Sequence, residues 1–316
     1  MNSKIRKLAR LMLLPFLLQA CQIQGISPAT VALPSPTKPP TMTVTEETAP
    51  RPMETITPLL TAAPVPTSTP NPVGQRVVFT ASDGRELVGY FYPAWKPNAP
   101  VVVLMHQFES DQKAWLESTI IPWMQNWRAL DPTNPPYFGA GGKLPEMPHD
   151  LSFAVFTFDF RGHGESLPPL DSNDVNRYAA GFLLDAQAAY ATARTMPGVD
   201  PNRVIGIGAS IGADAVVDAC AEWCAGAFSV SPGSWLKVDF AHAVKALLAQ
   251  DIPVRCVYSE NDPPAPQTCQ SITSSDLYQV FGYRGVKHGM TFFVPRKMEA
   301  DFGARLLEFL QAASQQ

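Results

Sequence analysis

Residues 204 to 219 constrain the fold more than any other stretch of the chain. Val204-Ile-Gly-Ile207 is a short apolar, β-branched run of the kind that fits a strand buried on both faces, and Ala213-Asp-Ala-Val-Val-Asp-Ala219 has the Ala-rich composition of a helix. Between them lies Gly208-Ala209-Ser210-Ile211-Gly212, a G-x-S-x-G pattern. A serine on so sharp a strand-to-helix turn needs small neighbours. Its own backbone is strained, and a side chain at Gly208 or Gly212 would collide with the adjoining strand and helix. The turn carries the Ser210 hydroxyl past the end of the strand. It also directs the first N–H groups of the helix at whatever that hydroxyl attacks, where they favour developing negative charge.

Strand, turn and helix together resemble the nucleophile elbow of the α/β-hydrolase family, and further loops extend the resemblance over roughly residues 76 to 312. The apolar run Val101–Met105 leads into His106-Gln107-Phe108, where the family's loop supplies an oxyanion-hole N–H, often from the residue after a His-Gly pair. Gln107 stands where that glycine is commonest. The resemblance assigns the donor to the backbone of Phe108, with Gln107 the other candidate, alongside the N–H of Ile211; His106 is read as structural. The run Phe153–Phe158 leads into Asp159-Phe-Arg161-Gly-His163-Gly-Glu-Ser166, which resembles a family loop whose residues hold neighbouring loops in place. The triad acid falls a few residues beyond the run Ile252–Tyr258, at Asp262, with Glu260 its nearest rival. Of the five histidines, His288 is the one that follows both Ser210 and Asp262 on a loop after a strand, giving the order Ser, Asp, His.

The implied chemistry follows from the residue types. A serine hydroxyl is a poor nucleophile at neutral pH until a base takes its proton. His288 is the expected base and later acid, Asp262 its orienter, and an acyl-enzyme the intermediate that water cleaves. The resemblance implies a serine hydrolase, with a carboxylic ester of short or medium acyl group as the expected small-molecule substrate. Peptide or thioester cleavage on the same triad, and a non-catalytic binding lipoprotein on a hydrolase scaffold, are the alternatives. No cofactor and no metal is expected.

Around these loops the pattern predicts an α/β fold, the α/β-hydrolase fold, with a mostly parallel central sheet and helices on both faces. Arg76–Thr80 and Leu87–Tyr92, joined through Asp83-Gly84, read as a hairpin. Tyr178–Met196 reads as a helix burying Phe182, Leu183, Ala186 and Tyr190, and Pro295–Ala313 as a closing amphipathic helix. The segment Val238–Gln250 is too short for a large cap domain. Residues 112 to 150 form a long Trp- and Pro-containing connection that either lines the pocket entrance or decorates the sheet edge.

The N-terminus is different in kind. Lys4, Arg6, Lys7 and Arg10 precede the apolar run Leu11–Leu18, which is too short to span a bilayer, and Leu18-Gln-Ala-Cys21 follows. Residues 1–21 thus read as a signal peptide. The last four resemble the bacterial lipobox, which implies lipidation (palmitate included) at Cys21 and anchorage on the extracytoplasmic face of the cell membrane; a plain cleaved signal is the alternative. Residues 22–74, rich in Pro and Thr, cannot bury enough apolar surface to order themselves and read as a disordered tether or a leader without required length. The resemblance implies that residues 75–316 form the hydrolase domain. An exported domain with four remaining cysteines favours disulfides over free thiols, and Cys220–Cys224 with Cys256–Cys269 is preferred because both loops are local. A net charge of −4 leaves no electrostatic footprint for nucleic acid.

Overall fold

The computed structural model describes residues 74–126, 139–221 and 223–316; the expected signal peptide with Cys21 and the Pro/Thr-rich segment, but for Gly74, lie outside the described residues. The strands are β1 (Gln75–Thr80), β2 (Glu86–Tyr92), β3 (Ala99–Met105), β4 (Ala154–Phe158), β5 (Val199–Ala209), β6 (Cys224–Val230), β7 (Val254–Ser259) and β8 (Tyr278–Tyr283). They form one sheet in the order β1-β2-β4-β3-β5-β6-β7-β8. The pairs β1/β2 and β2/β4 are antiparallel, and every pair from β4 to β8 is parallel. From β3 the chain moves outward to β4 and then returns to the other side of β3 as β5. The reversal falls between β3 and β5, the kind of point at whose carboxyl ends open α/β sheets bind their ligands.

The apolar strands are buried on both faces, as their composition requires. In β3, Val101, Val103 and Met105 enter one core while Val102 and Leu104 enter the other, the two-residue alternation of a pleated strand. The first core is covered by α4 (Val175–Ala193), α5 (Ile211–Asp218) and α6 (Phe240–Leu248), through residues such as Phe182, Tyr190, Val216 and Val244. The second is covered by α1 (Lys113–Glu117), α2 (Ile120–Gln125) and α8 (Phe302–Ala313), through Trp115, Ile121 and Leu306. Trp115 and Trp123 are core residues, and the Trp123 indole N–H donates to the Pro145 carbonyl at 2.7 Å. A short helix α3 (Gly139–Gly142) follows in the same connection. Between β6 and β7 the described helix is α6 alone, with no cap domain inserted.

The helices differ from the sequence pattern in several places. Helix α4 starts at Val175, ahead of Tyr178, because Asp174 caps it by accepting from the Asn176 N–H at 3.0 Å, and its first turn is largely exposed, so no apolar periodicity marks it. Helix α7 (Ala265–Gln270) forms in a Pro-rich loop, because proline in a first turn removes only an N–H that lacks an intrahelical partner anyway. The closing helix begins at Phe302, not Pro295. Gly289–Phe293 is a 3-10 helix, and the segment after it folds against Lys143 and Lys287, whose ammonium groups reach the Met298 carbonyl and Glu299. Met298 is nevertheless buried, which is why it continues the apolar face in the sequence without being helical.

Disulfides join Cys220 to Cys224 and Cys256 to Cys269. The first ties the end of α5 to the start of β6, and the second ties β7 to α7 across the loop that carries Asp262.

Candidate active site

Ser210 occupies the turn between β5 and α5 with φ 56° and ψ −115°, a conformation that L-residues rarely adopt. Its strain is held by packing on every side. A Cβ at Gly208 would lie 2.0 Å from the Gly212 carbonyl oxygen, and a Cβ at Gly212 would lie 2.2 Å from that of Met105. The Ser210 N–H donates to the Val230 carbonyl at 2.9 Å, fixing the turn to the end of β6. The Ser210 carbonyl accepts from the N–H groups of Ala213 and Asp214, so α5 starts directly beneath the serine. Ile211, as the first residue of that helix, has no intrahelical acceptor for its N–H. At the fourth residue, fully buried Asp214 accepts from the N–H groups of Gly233 and Trp235 at 3.1 and 2.5 Å and so anchors the loop after β6; burial pushes its carboxyl up to about 7.

Asp262 and His288 lie on the loops after β7 and β8. The His288 Nδ1–H donates to Asp262 Oδ1 at 2.9 Å and Oδ2 at 3.1 Å, an arrangement that leaves Nε2 as the basic nitrogen. The turn after His288 reaches the serine: a Cβ on Gly289, whose φ is +49°, would lie 3.5 Å from Ser210 Cβ. The chain thus brings Ser210, Asp262 and His288 to one edge of the sheet from the ends of β5, β7 and β8.

The loop after β3 is organised by His106. Its ring is fully buried; the Nδ1–H donates to the Gln107 carbonyl at 2.7 Å, and Nε2 accepts from the Phe160 N–H at 3.0 Å. These partners fix the neutral tautomer, and burial holds the pKa down at about 3. The same Gln107 carbonyl also accepts from the Ser110 N–H at 3.2 Å. In a trans peptide the N–H points opposite to the carbonyl, so tying down the Gln107 oxygen turns the Phe108 N–H to the other side. The Phe108 ring packs edge-on against His163 and Phe182, at centroid distances of 5.2 and 6.1 Å.

The Asp159–Ser166 loop braces this arrangement. Asp159 accepts from the Gln112 and Glu165 N–H groups at 2.8 Å each, and Arg161 bridges buried Asp185 and Asp83. His163 accepts from the Glu109 N–H at Nε2 and donates from Nδ1 to the Arg161 carbonyl, both at 3.1 Å, so both ring nitrogens are taken up by backbone. Glu260, the rival acid, is exposed, whereas Asp262 is nearly buried against His288. Two side chains unassigned in the sequence reading also reach the site: Gln107 Oε1 accepts from the Met290 N–H, and Ser231 Oγ from the Gly289 N–H. The signal for Ser231 was its place just past a strand at the same sheet edge.

An open, mostly parallel sheet with this order, and a strained serine between its central strand and the next helix, is the α/β-hydrolase fold. Acetyl xylan esterase 1 from Thermoanaerobacterium sp. JW/SL YS485 shares it, with a TM-score of 0.50 at 16% identity over 78% of this chain and 86% of that one. The Pyrococcus furiosus esterase Pf2001 gives a TM-score of 0.49 at 18% identity, over 75% of this chain and 92% of that one. By sequence, 146 residues are 27% identical to the uncharacterized protein YfhR of Escherichia coli (strain K12), a match spanning 46% of this chain and 40% of that protein. No family profile matches the chain.

Proposed function

We propose that this protein is a serine hydrolase that cleaves carboxylic esters through Ser210, His288 and Asp262. The observation that carries the reading is a strained serine and an Asp-bound imidazole at the same end of the sheet, with the glycine after the imidazole lying against Ser210. His288 Nε2 takes the Ser210 proton as Oγ attacks the ester carbon, and Asp262 stabilises the imidazolium. The N–H groups of Ile211 and Phe108 receive the oxyanion, each worth about 3 kcal/mol by the usual cost of losing such a donor. His288 then protonates the departing alcohol, and water, activated by the same imidazole, releases the acid. The esterase that shares the fold supports the same reaction class, by analogy of scaffold alone.

From the resemblance of Leu18–Cys21 to a lipobox, we further propose that the enzyme lies outside the cytoplasm, lipid-anchored at Cys21. Two disulfides support an oxidising compartment.

Fluorophosphonate labelling followed by mass mapping tests the proposal. The expected adduct sits on Ser210 and disappears in His288→Ala. A folded protein that takes no label would move a binding role to the front. Turnover of an ester panel against thioesters and peptide amides then separates the hydrolase alternatives.

A further inference from the structure

We infer that the side-chain carbonyl of Gln107 and the hydroxyl of Ser231 are positioning residues that hold the His288 turn against Ser210; this rests on the serine-hydrolase reading above. Asp262 fixes the rotation of the imidazole but not its distance from the serine, which is set by the backbone of residues 288–290. That backbone opens the 3-10 helix Gly289–Phe293, whose first N–H groups have no acceptor within the helix. Thr291 N–H returns to the His288 carbonyl at 3.0 Å, while the two N–H groups before it are met from outside. Gly289 N–H donates to Ser231 Oγ at 3.1 Å, and Met290 N–H donates to Gln107 Oε1 at 2.8 Å.

The two acceptors come from the loops after β6 and β3, the strands on either side of β5, so they straddle the nucleophile. Each is itself anchored. Ser231 is fully buried at φ 59°, donates its N–H to the Val257 carbonyl at 2.8 Å, and follows Val230, whose carbonyl holds the Ser210 N–H. Gln107 is fixed through its backbone carbonyl by His106 and Ser110. The identity of the acceptor atom is set by chemistry, because an amide N–H can donate only to the oxygen of the glutamine. The turn can approach this closely because residue 289 is glycine: a Cβ there would lie 2.4 Å from Gln107 Oε1. Two hydrogen bonds on consecutive N–H groups fix both the position and the tilt of the turn.

The test compares the full chain with Gln107→Met, which keeps length but removes the acceptor, Gln107→Glu, which keeps an acceptor oxygen, and Ser231→Ala. Kinetics on a 4-nitrophenyl ester, the rate of fluorophosphonate labelling at Ser210, and urea melts are measured for each. Displacing a catalytic base by a fraction of an ångström to 1 Å is expected to lower kcat about tenfold to a hundredfold. KM should stay within about twofold, because the lost contact serves the transition state and not binding. Labelling should slow by the same factor in the Met and Ala variants, and Gln107→Glu should recover most of it. Because Gln107 is partly exposed, Gln107→Met keeps the test informative even if Ser231→Ala unfolds. Wild-type labelling at Ser210 with kcat unchanged in a folded Gln107→Met variant would overturn the clamp and leave the hydrolase reading intact. A folded wild type that neither labels nor turns over ester would overturn both.

Discussion

Replacing Gly212 by alanine sets two physical effects of opposite sign against each other. Gly212 is the second residue of α5, and at an ordinary helical position the change to alanine stabilises by about 1 kcal/mol. Here the new Cβ would lie 2.2 Å from the Met105 carbonyl oxygen, 2.6 Å from its carbon and 2.8 Å from the His106 oxygen. All three are backbone atoms of β3 and the loop after it, so no side chain can swing aside. Relieving the contact requires α5 and the end of β3 to part by about 1 Å, and overpacking of this kind costs about 1–3 kcal/mol, which exceeds the propensity gain. The same shift separates Ser210 and Ile211 from the Phe108 loop, and a misplacement of about 1 Å in such a site costs roughly a hundredfold in rate. Gly212→Ala is therefore expected to lose stability in urea denaturation and about two orders of magnitude in ester turnover. Gly84→Ala is the control: its φ is +84° and nothing lies within 4 Å of the added atom, so it should lose about 1 kcal/mol with turnover intact. A Gly212→Ala variant at least as stable and as active as the wild type would refute the steric argument.

Two further perturbations probe the frame around the site. Removing the Cys256–Cys269 bridge, whose loop spans 13 residues and carries Asp262, should cost about 3 kcal/mol in urea melts and lower kcat as well; a loss of stability without any loss of kcat would show that the bridge does not steady Asp262. Asp218 has neither carboxylate oxygen hydrogen-bonded among the described residues, and burial, with the charges of Asp214 and Asp239, pushes its carboxyl up to about 8. Between the ordinary value of 3.8 and about 8 the folded chain holds a proton that the unfolded chain releases, so this contribution to stability is full below the lower value and is lost as pH rises toward the upper one. Asp218→Asn should thus be more stable than the wild type by about 1 kcal/mol or more at pH 8 and nearly equal to it at pH 4, and a pH-independent difference in urea melts would contradict this reading.

Much of the site was legible because its parts are punctuated by short-range rules. The G-x-S-x-G turn needs its glycines for reasons visible in five residues, and buried parallel strands announce themselves as runs such as Val101–Met105. The order of Ser210, Asp262 and His288 along the chain reflects the order in which strands deliver them. In sequence Gln107 stands out as a departure from the commonest glycine, and nothing local names the partner of its side chain. Its side chain meets Met290, a residue 183 positions away, and no local rule reports such a contact. The same holds for Ser231 with Gly289, and for the reach of Arg161 to Asp83 and Asp185. Helix α7 and the late start of α8 escaped because prolines in a first turn and a buried Met298 outside a helix both mimic other patterns.

The sequence by itself determined the strand and helix alternation, the tight turn at Ser210 and the residue types of the proposed triad, because these follow from periodicity, from glycine at a crowded turn and from the chemistry of hydroxyl, imidazole and carboxylate. Tertiary structure alone decided which nitrogen of His106 carries its proton, which way the Phe108 N–H faces, and what holds the His288 turn beside Ser210. Those depend on hydrogen bonds between atoms far apart in the chain, and such partners are fixed only when the sheet has assembled its strand ends into one edge.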